Sequence, residues 1–465
     1  MTSAPNHLLR LSGNKSILVW IFLLSLAACA GPKHATHKPP SVEHPTPAKE
    51  DQVKVYDPVT GTYVMVPKSS VKVDTVKWTT DTKSPIITDK VTEPEKPNKN
   101  TSFQLSLLMP FSWTSDDNAD VFDGKINRFL QYYGGVQLAM SEVDSIGYKI
   151  SLHAYDVDGS LSQTQSVLND PSLKNSDVIM GPYDKEEIES VASYGLKHEK
   201  FVVSPWLPAF NVTEENPFFI QVNPGLGTHA EAITAFIASN WPAKKVFLVA
   251  RDNTTEINRL NLFKKNNHLN TEDLIIKDDS PELARTDLQK LLSDDGTIFI
   301  LPYYSKADES FVNSFLRKLH ADKELKDVMV FGLPQWLSYS NLNPNYLESL
   351  SVHISVSTFI DPDHPEYDTF KKNYFDRYHV IPDLQAFLGY DLIKWLSNVL
   401  VKSGKDGLIG PSSLWPSGIA SGFDIKPVYK NNASTSTSEM KTPLYYENSR
   451  IRILKYEGQD FHLVN

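Results

Sequence analysis

The chain carries one cysteine, Cys29, in 465 residues, so an intramolecular disulfide, a CxxC redox pair and a thiolate zinc cluster are excluded together. His34, His37 and His44 are the only closely placed histidines, and they are too sparse for a metal site. Two acidic clusters offer oxygen ligands. Asp156-Val157-Asp158-Gly159 lacks the later ligands of a calcium loop and reads as a strand-end turn. The run Asp361-Pro362-Asp363-His364-Pro365-Glu366-Tyr367-Asp368 has donors for a divalent cation, but a solvated loop is the commoner outcome of such a composition. No HExxH, GxSxG, Walker A or GxGxxG sequence occurs, and no nucleophile and base form a recognisable set. The expectation is a protein that is not an enzyme and uses no metal or cofactor.

The elements that position such residues divide the chain unevenly. With 56 acidic and 46 basic residues, the net charge of −10 argues against a nucleic-acid partner, which needs a concentrated basic face. Residues 1–16 contain Arg10 and Lys15 and no acid, and an apolar run follows from Ile17 to Ala28. At 1.5 Å per residue that run spans roughly 18 Å, too short for a membrane core and suited to a signal peptide over 1–28. The stretch 29–102 holds ten prolines and few clustered aliphatics, the composition of a disordered tether with a reach of about 45–50 Å. Within it, 53–66 alternates around Asp57-Pro58-Val59-Thr60-Gly61, which fits a small hairpin and equally a sticky patch in a linker.

From residue 103 onward, short apolar runs alternate with helical periodicity. They are Phe103–Met109, Ile150–Tyr155, Val178–Met180, Phe201–Val203, Val246–Ala250, Leu274–Ile276, Ile298–Leu301, Val328–Phe331 and Val352–Val356. This is the pattern of parallel α/β sheets, and some nine βα units fit two doubly wound lobes better than one. Ile126, Phe129, Leu130, Tyr133, Val136, Met140 and Val143 mark the first helix. Gly134-Gly135 inside it costs about 1–2 kcal/mol of propensity, so close backbone packing is expected there.

Two resemblances follow from these residues. Leu26-Ala27-Ala28-Cys29 resembles the lipobox of bacterial lipoproteins, which implies acylation of Cys29 and a membrane partner through two or more acyl chains. The following Ala30-Gly31-Pro32 lacks the retention and surface-export signals of that class, which implies an outer-membrane anchor facing the periplasm. In the body, Leu105-Ser106-Leu107-Leu108-Met109-Pro110-Phe111, Tyr132-Tyr133-Gly134-Gly135, Ala154-Tyr155-Asp156, Val178-Ile179-Met180-Gly181-Pro182, Val202-Val203-Ser204-Pro205 and the late Pro382, Ala386, Phe387, Gly389, Tyr390 and Asp391 occur in the order seen in type I periplasmic binding proteins. The chain resembles the leucine/isoleucine/valine-binding-like members of that superfamily over 103–465.

The resemblance implies a clamshell, with 103–225 plus 357–405 as the first lobe, 226–356 plus 406–465 as the second, and hinge strands between them. Ligands of such folds sit at the carboxyl ends of parallel strands. The candidate cleft residues are therefore Ser112, Trp113, Thr114, Tyr183, Asp184, Ser204, Trp206, Asn253, Thr254, Tyr303, Tyr304, Gln335 and Trp336. One departure stands out. Amino-acid-binding relatives carry a Ser/Thr cluster after the third strand, whereas this chain has Tyr183-Asp184-Lys185-Glu186, an acid where an anion would be received. The implied function is a non-enzymatic solute-binding lipoprotein taking an amino acid-, peptide- or wall-fragment-like ligand, with an ABC permease as its partner. The alternative is an envelope scaffold or regulator resembling the penicillin-binding-protein activator lipoproteins, with a cell-wall synthesis partner.

Overall fold

The structure, a computed structural model, describes residues 52–57, 62–67, 102–112, 124–208, 212–213, 215–265, 269–277, 280–429 and 442–464. Cys29, the signal segment, the tether apart from two paired strands, and the candidates Trp113 and Thr114 lie outside the described residues. The chain forms two compact units, Met1–Asp89 and Lys90–Asn465. The first contains β1 (Gln52–Asp57) and β2 (Thr62–Pro67), paired antiparallel with Val53 opposite Val66 and Val55 opposite Val64.

The second unit contains β3 (Phe103–Met109), β4 (Ile150–Asp156), β5 (Val178–Met180), β6 (Phe201–Ser204) and β7 (Phe219–Gln221). There follow β8 (Lys245–Arg251), β9 (Thr271–Ile276), β10 (Thr297–Ile300), β11 (Val328–Gly332) and β12 (Val352–Val356). The last four are β13 (Ile425–Val428), β14 (Tyr445–Asn448), β15 (Arg452–Glu457) and β16 (Asp460–Leu463). They build two seven-stranded sheets, ordered β13-β14-β7-β6-β5-β3-β4 and β16-β15-β12-β11-β10-β8-β9. Within each, the first five strands in sequence are parallel and run in the doubly wound order 2-1-3-4-5, whose switch points are β3/β5 and β8/β10. Strands β5, β6, β10, β11 and β12 are buried along their whole length, which is why they stand out in the sequence as short, mainly apolar runs, with His353 and Ser355 of β12 among the buried polar exceptions.

The lobe boundaries differ from the sequence expectation at the C-terminal end. Residues 406–465 do not all join the second lobe: β13 and β14 extend the first sheet, and only β15 and β16 extend the second. The reason is pairing geometry. β14 lies parallel to β7 through Tyr446 and Glu447, and the chain then crosses and turns antiparallel against β12. The lobes are thus joined at three crossings, after β7, after β12 and between β14 and β15.

Polar groups at these crossings are buried and paired. Glu447 accepts from the Gly225 amide (2.8 Å), the Thr228 hydroxyl (2.6 Å) and the Tyr445 hydroxyl (3.1 Å). It thereby caps the Leu226–Asn240 helix, whose own N-cap residue, Gly225, has no side chain for the purpose. Asp391 accepts from the amides of Ile419 (3.1 Å), Ala420 (2.8 Å) and Ser421 (2.9 Å), and the Arg452 guanidinium donates to the carbonyls of Phe359 and Ala420.

The Gly124–Ser145 and Leu384–Ser403 helices pack backbone to backbone. A methyl at Gly135 would lie 1.8 Å from the Ala386 carbonyl oxygen, and one at Gly389 would lie 2.2 Å from that of Tyr132. Close packing accounts for the helical glycine at 135, while Gly134 faces the Tyr374 ring. The buried face of the first helix carries Phe129, Tyr132, Val136, Ala139 and Val143, whereas Leu130 points outward at 42% exposure. Tyr390 donates to Glu142 across this contact (2.7 Å).

Two predictions follow from these contacts. Gly389→Ala is expected to lower the unfolding free energy by about 3 kcal/mol, the upper end for forced overpacking, as read by urea denaturation. Gly227→Ala, where an added methyl meets nothing within 4 Å, is the control and should change it by under about 1 kcal/mol.

The second concerns pH. Burial lowers His229 and His353 to about 4. Below pH ~6.5 the unfolded chain takes up protons that the fold refuses, so each histidine removes on the order of 3 kcal/mol of stability as pH falls from ~6.5 to ~4. Asp391 acts oppositely: burial raises it to about 6 despite its amide donors, so the fold gains a proton first as pH falls through that window. His353→Phe is expected to lose about 3 kcal/mol less than the unmodified protein between pH 6.5 and 4 in urea titrations, since its titration is removed.

Candidate functional site

The loop after β5 turns at Gly181, whose φ of +84° and 2.3 Å approach of an added Cβ to the Leu108 carbonyl oxygen admit no side chain. The loop delivers Tyr183 to the β3/β5 switch point. Asp184 then caps the Lys185–His198 helix by accepting from the Glu186 amide at 3.0 Å. The helix N-terminus that receives a ligand anion in many such folds is therefore served here by a carboxylate of the chain itself.

The loop after β6 delivers Trp206, whose carbonyl accepts from Asn223 at the first crossing (2.7 Å). Its ring lies 4.8 Å from Tyr132, 5.9 Å from Phe129 and 5.9 Å from Tyr183, centroid to centroid, and Phe129 meets Tyr183 edge-on at 5.2 Å. These tilted and edge contacts form a four-ring cluster from two loops and one helix.

Above the cluster lies a cavity of about 210 Å³. Tyr132, Tyr183 and Trp206 line one side, and Leu384, Gln385, Leu388 and Leu392 of the Leu384–Ser403 helix line another. Asn223, Ser357 and Asn448 bring all three crossings to its edge, and Arg128 stands exposed beside Tyr183, with Nη1 3.5 Å from the phenol oxygen. Three of its side chains carry buried polar atoms without a hydrogen-bond partner among the described residues: Tyr132 Oη, Trp206 Nε1 and Gln385 Oε1. Tyr132 is 1% exposed, and burial raises its phenol well above the usual tyrosine range, so the hydroxyl keeps its proton. Leaving a buried donor unpaired costs about 1–3 kcal/mol, so three such atoms around one cavity mark a place built for something polar to enter.

The sequence candidates separate into groups. Tyr183 and Trp206 line the cavity. Asp184 is a helix cap, and Ser204 is a buried strand end whose carbonyl accepts from Val222 at 2.9 Å. Ser112 is an exposed turn residue whose amide donates to Asp156 at 3.3 Å.

The second-lobe candidates do not reach the cavity. Asn253 caps the Thr254–Lys264 helix through the Glu256 amide (3.0 Å), and Thr254 opens that helix, exposed. Tyr303 and Trp336 are core residues, the indole donating to the Tyr303 carbonyl at 3.1 Å. Tyr304 lies under Arg259 at 4.4 Å, and Gln335 is exposed. Asn253, Tyr303 and Trp336 thus have structural roles, as a helix cap and as core side chains, and the exposed Thr254, Tyr304 and Gln335 do not line the cavity. Residues that strand-end reasoning missed, such as Tyr132, Gln385 and Leu388, sit on helices; the Tyr132-Tyr133-Gly134-Gly135 and Gly389-Tyr390-Asp391 motifs bracket them in sequence.

A larger hollow of about 650 Å³ in the second lobe is lined by Arg251, Phe311, Arg317 and Lys318. Its Arg251 is engaged by Glu256 and Asp308, and no unpartnered buried atom belongs to its lining residues. Among the described residues no cluster of His, Cys, Asp or Glu is arranged to hold a metal ion; Asp361 instead accepts the Asp363 amide at 3.0 Å in a local turn. Among the described residues, too, no helix is long and apolar enough to cross a membrane.

No curated protein matches the chain in sequence. Solved structures do. One from Rhodospirillum rubrum, assigned provisionally as a branched-chain amino acid ABC transporter, is 13% identical and covers 78% of this chain and 100% of its own, with a TM-score of 0.54. An ABC transporter substrate-binding protein from Desulfitobacterium hafniense is 15% identical over 78% and 100% of the two chains, with a TM-score of 0.51. At such identity the likeness shows the fold. The family model described as "Receptor family ligand binding region" matches residues 131–446, well over half of the chain and spanning both lobes. The chain therefore belongs to the receptor-type ligand-binding family and has its two-lobed, type I periplasmic-binding-protein-like fold.

Proposed function

We propose that the protein is a non-enzymatic solute-binding lipoprotein of the cell envelope, with the cavity beside Trp206 as its ligand seat. The observation that carries this reading is the convergence of three unpartnered buried polar atoms on one aromatic-walled cavity at the hinge. Its volume of about 210 Å³ is below the roughly 300–1,000 Å³ of drug-sized sites, so it suits a solute the size of an amino acid and not a peptide or wall fragment. The solved structures of like fold are named as ABC transporter proteins, which supports an inner-membrane permease as recipient of the solute. Acylation of Cys29 would supply the anchor, facing the periplasm from the outer membrane.

A thermal-shift screen against amino acids, small carboxylates and sugars tests the seat. A ligand at 100 Kd is expected to stabilise the protein by about 2.7 kcal/mol, and Trp206→Ala to weaken that ligand at least roughly tenfold while leaving the protein folded. A ligand whose shift is unchanged in Trp206→Ala would place the seat elsewhere. The anchor is tested separately: Cys29→Ala is expected to move the protein from the membrane fraction to the soluble fraction, and retention in the membrane would rule out acylation as the anchor.

A further inference from the structure

The lining of the cavity carries charge of one sign only. Among the described residues that line it, Arg128 is the only charged one, and none is acidic. An α-ammonium brought into this space would lose its hydration with no carboxylate to receive it, whereas an anion meets a guanidinium at the mouth. Two of the three unpartnered atoms show the same bias, the third, Gln385 Oε1, being an acceptor. Trp206 Nε1 can only donate, and Tyr132 Oη, held protonated by burial, is available to donate. A carboxylate is acceptor-only and satisfies both.

The two helix N-termini nearest the cavity supply no alternative anion seat. Asp184 occupies one, and Asp383 occupies the other through the amides of Gln385 (2.8 Å) and Ala386 (3.3 Å). Val222, Leu384, Leu388, Leu392 and Phe423 supply hydrocarbon and ring to the lining, and the neutral polar residues Asn223, Ser357, Thr358, Ser421 and Asn448 complete it on the crossing side.

On the reading that this cavity is the ligand seat, we infer that it takes a small monocarboxylate with an apolar or aromatic body and discriminates against α-amino acids. The carboxylate lies toward Tyr132 Oη, Trp206 Nε1 and Arg128, and the body lies against the leucines of the Leu384–Ser403 helix. The unpartnered Gln385 Oε1 is an acceptor and takes a neutral donor substituent on the ligand body, not the carboxylate.

The test compares matched pairs by isothermal titration calorimetry on the full protein: 3-phenylpropionate with L-phenylalanine, and 4-methylpentanoate with L-leucine. The members of each pair differ only by the α-ammonium. In at least one pair the deaminated acid is expected to bind more than tenfold tighter than its amino acid. The amide 3-phenylpropanamide, which lacks the negative charge, is expected to bind more weakly than 3-phenylpropionate.

Two variants assign the donors. Tyr132→Phe removes an unpartnered buried hydroxyl, so it is expected to weaken the carboxylate severalfold while leaving the melting temperature equal or higher. Arg128→Gln, at an exposed position, is expected to narrow the preference for the acid over the amide.

An amino acid that binds as tightly as its deaminated twin overturns the inference and leaves the ligand seat standing. Failure of all four pair members to bind overturns it as well, while the seat itself is decided by the wider screen and by Trp206→Ala. Carboxylate affinity unchanged in both Tyr132→Phe and Arg128→Gln also overturns it.

Discussion

The backbone contact between the Gly124–Ser145 and Leu384–Ser403 helices is the constraint on which the rest of the first lobe depends. Two glycines, 135 and 389, let the helices approach until an added methyl would collide with a carbonyl oxygen of the opposite helix. That approach brings Tyr132 within reach of Trp206 on one side and presents Leu384, Gln385 and Leu388 to the same space. It also sets Tyr390 against Glu142 and buries Asp391 where the 419–421 amides can converge on it. A single extra carbon at either glycine would push the cavity walls apart and misplace the hinge loop together.

The hinge depends on buried charge and polar pairing more than on apolar packing. Glu447 from a strand of the first sheet caps a helix of the second lobe, and Arg452 donates to two carbonyls on the first-lobe side of the crossings. Such groups are weak stabilisers in themselves, because their desolvation offsets much of their attraction, but breaking one leaves its partner buried and unpaired. They favour a defined register at each crossing. The cavity touches all three crossings through Asn223, Ser357 and Asn448, so a ligand seated there lies directly against the segments that set the angle between the lobes.

Much of the fold was legible because parallel strands buried on both faces are predominantly apolar, as in Val178–Met180 and Ile298–Ile300. Two of the strands that escaped notice are short or half-exposed. β7 has three residues, and β16 alternates exposed and half-buried positions. The misassignment of 406–450 has a related origin: β14, which carries β13 with it, pairs with β7 more than two hundred residues away, and pairing over that separation leaves no local pattern. Tyr183 and Trp206, chosen because loops after parallel strands are where ligands bind in doubly wound folds, line the cavity. Asn253, Tyr303 and Trp336 satisfied the same rule yet proved structural. The rule locates an edge of a sheet and says nothing about whether that edge is already filled.

The sequence by itself determined the class of fold, the order of its βα units, the glycine pair that needed close packing, and the acid after β5 that displaces a ligand anion. Each of these is written in residue type and short-range spacing. Only the tertiary structure decided which lobe the C-terminal strands join and which aromatic residues share a cavity. It alone also decided which polar atoms are left without partners. Burial and hydrogen-bond satisfaction are properties of groups brought together from distant parts of the chain, as Tyr132, Trp206 and Gln385 are, and no local pattern encodes them.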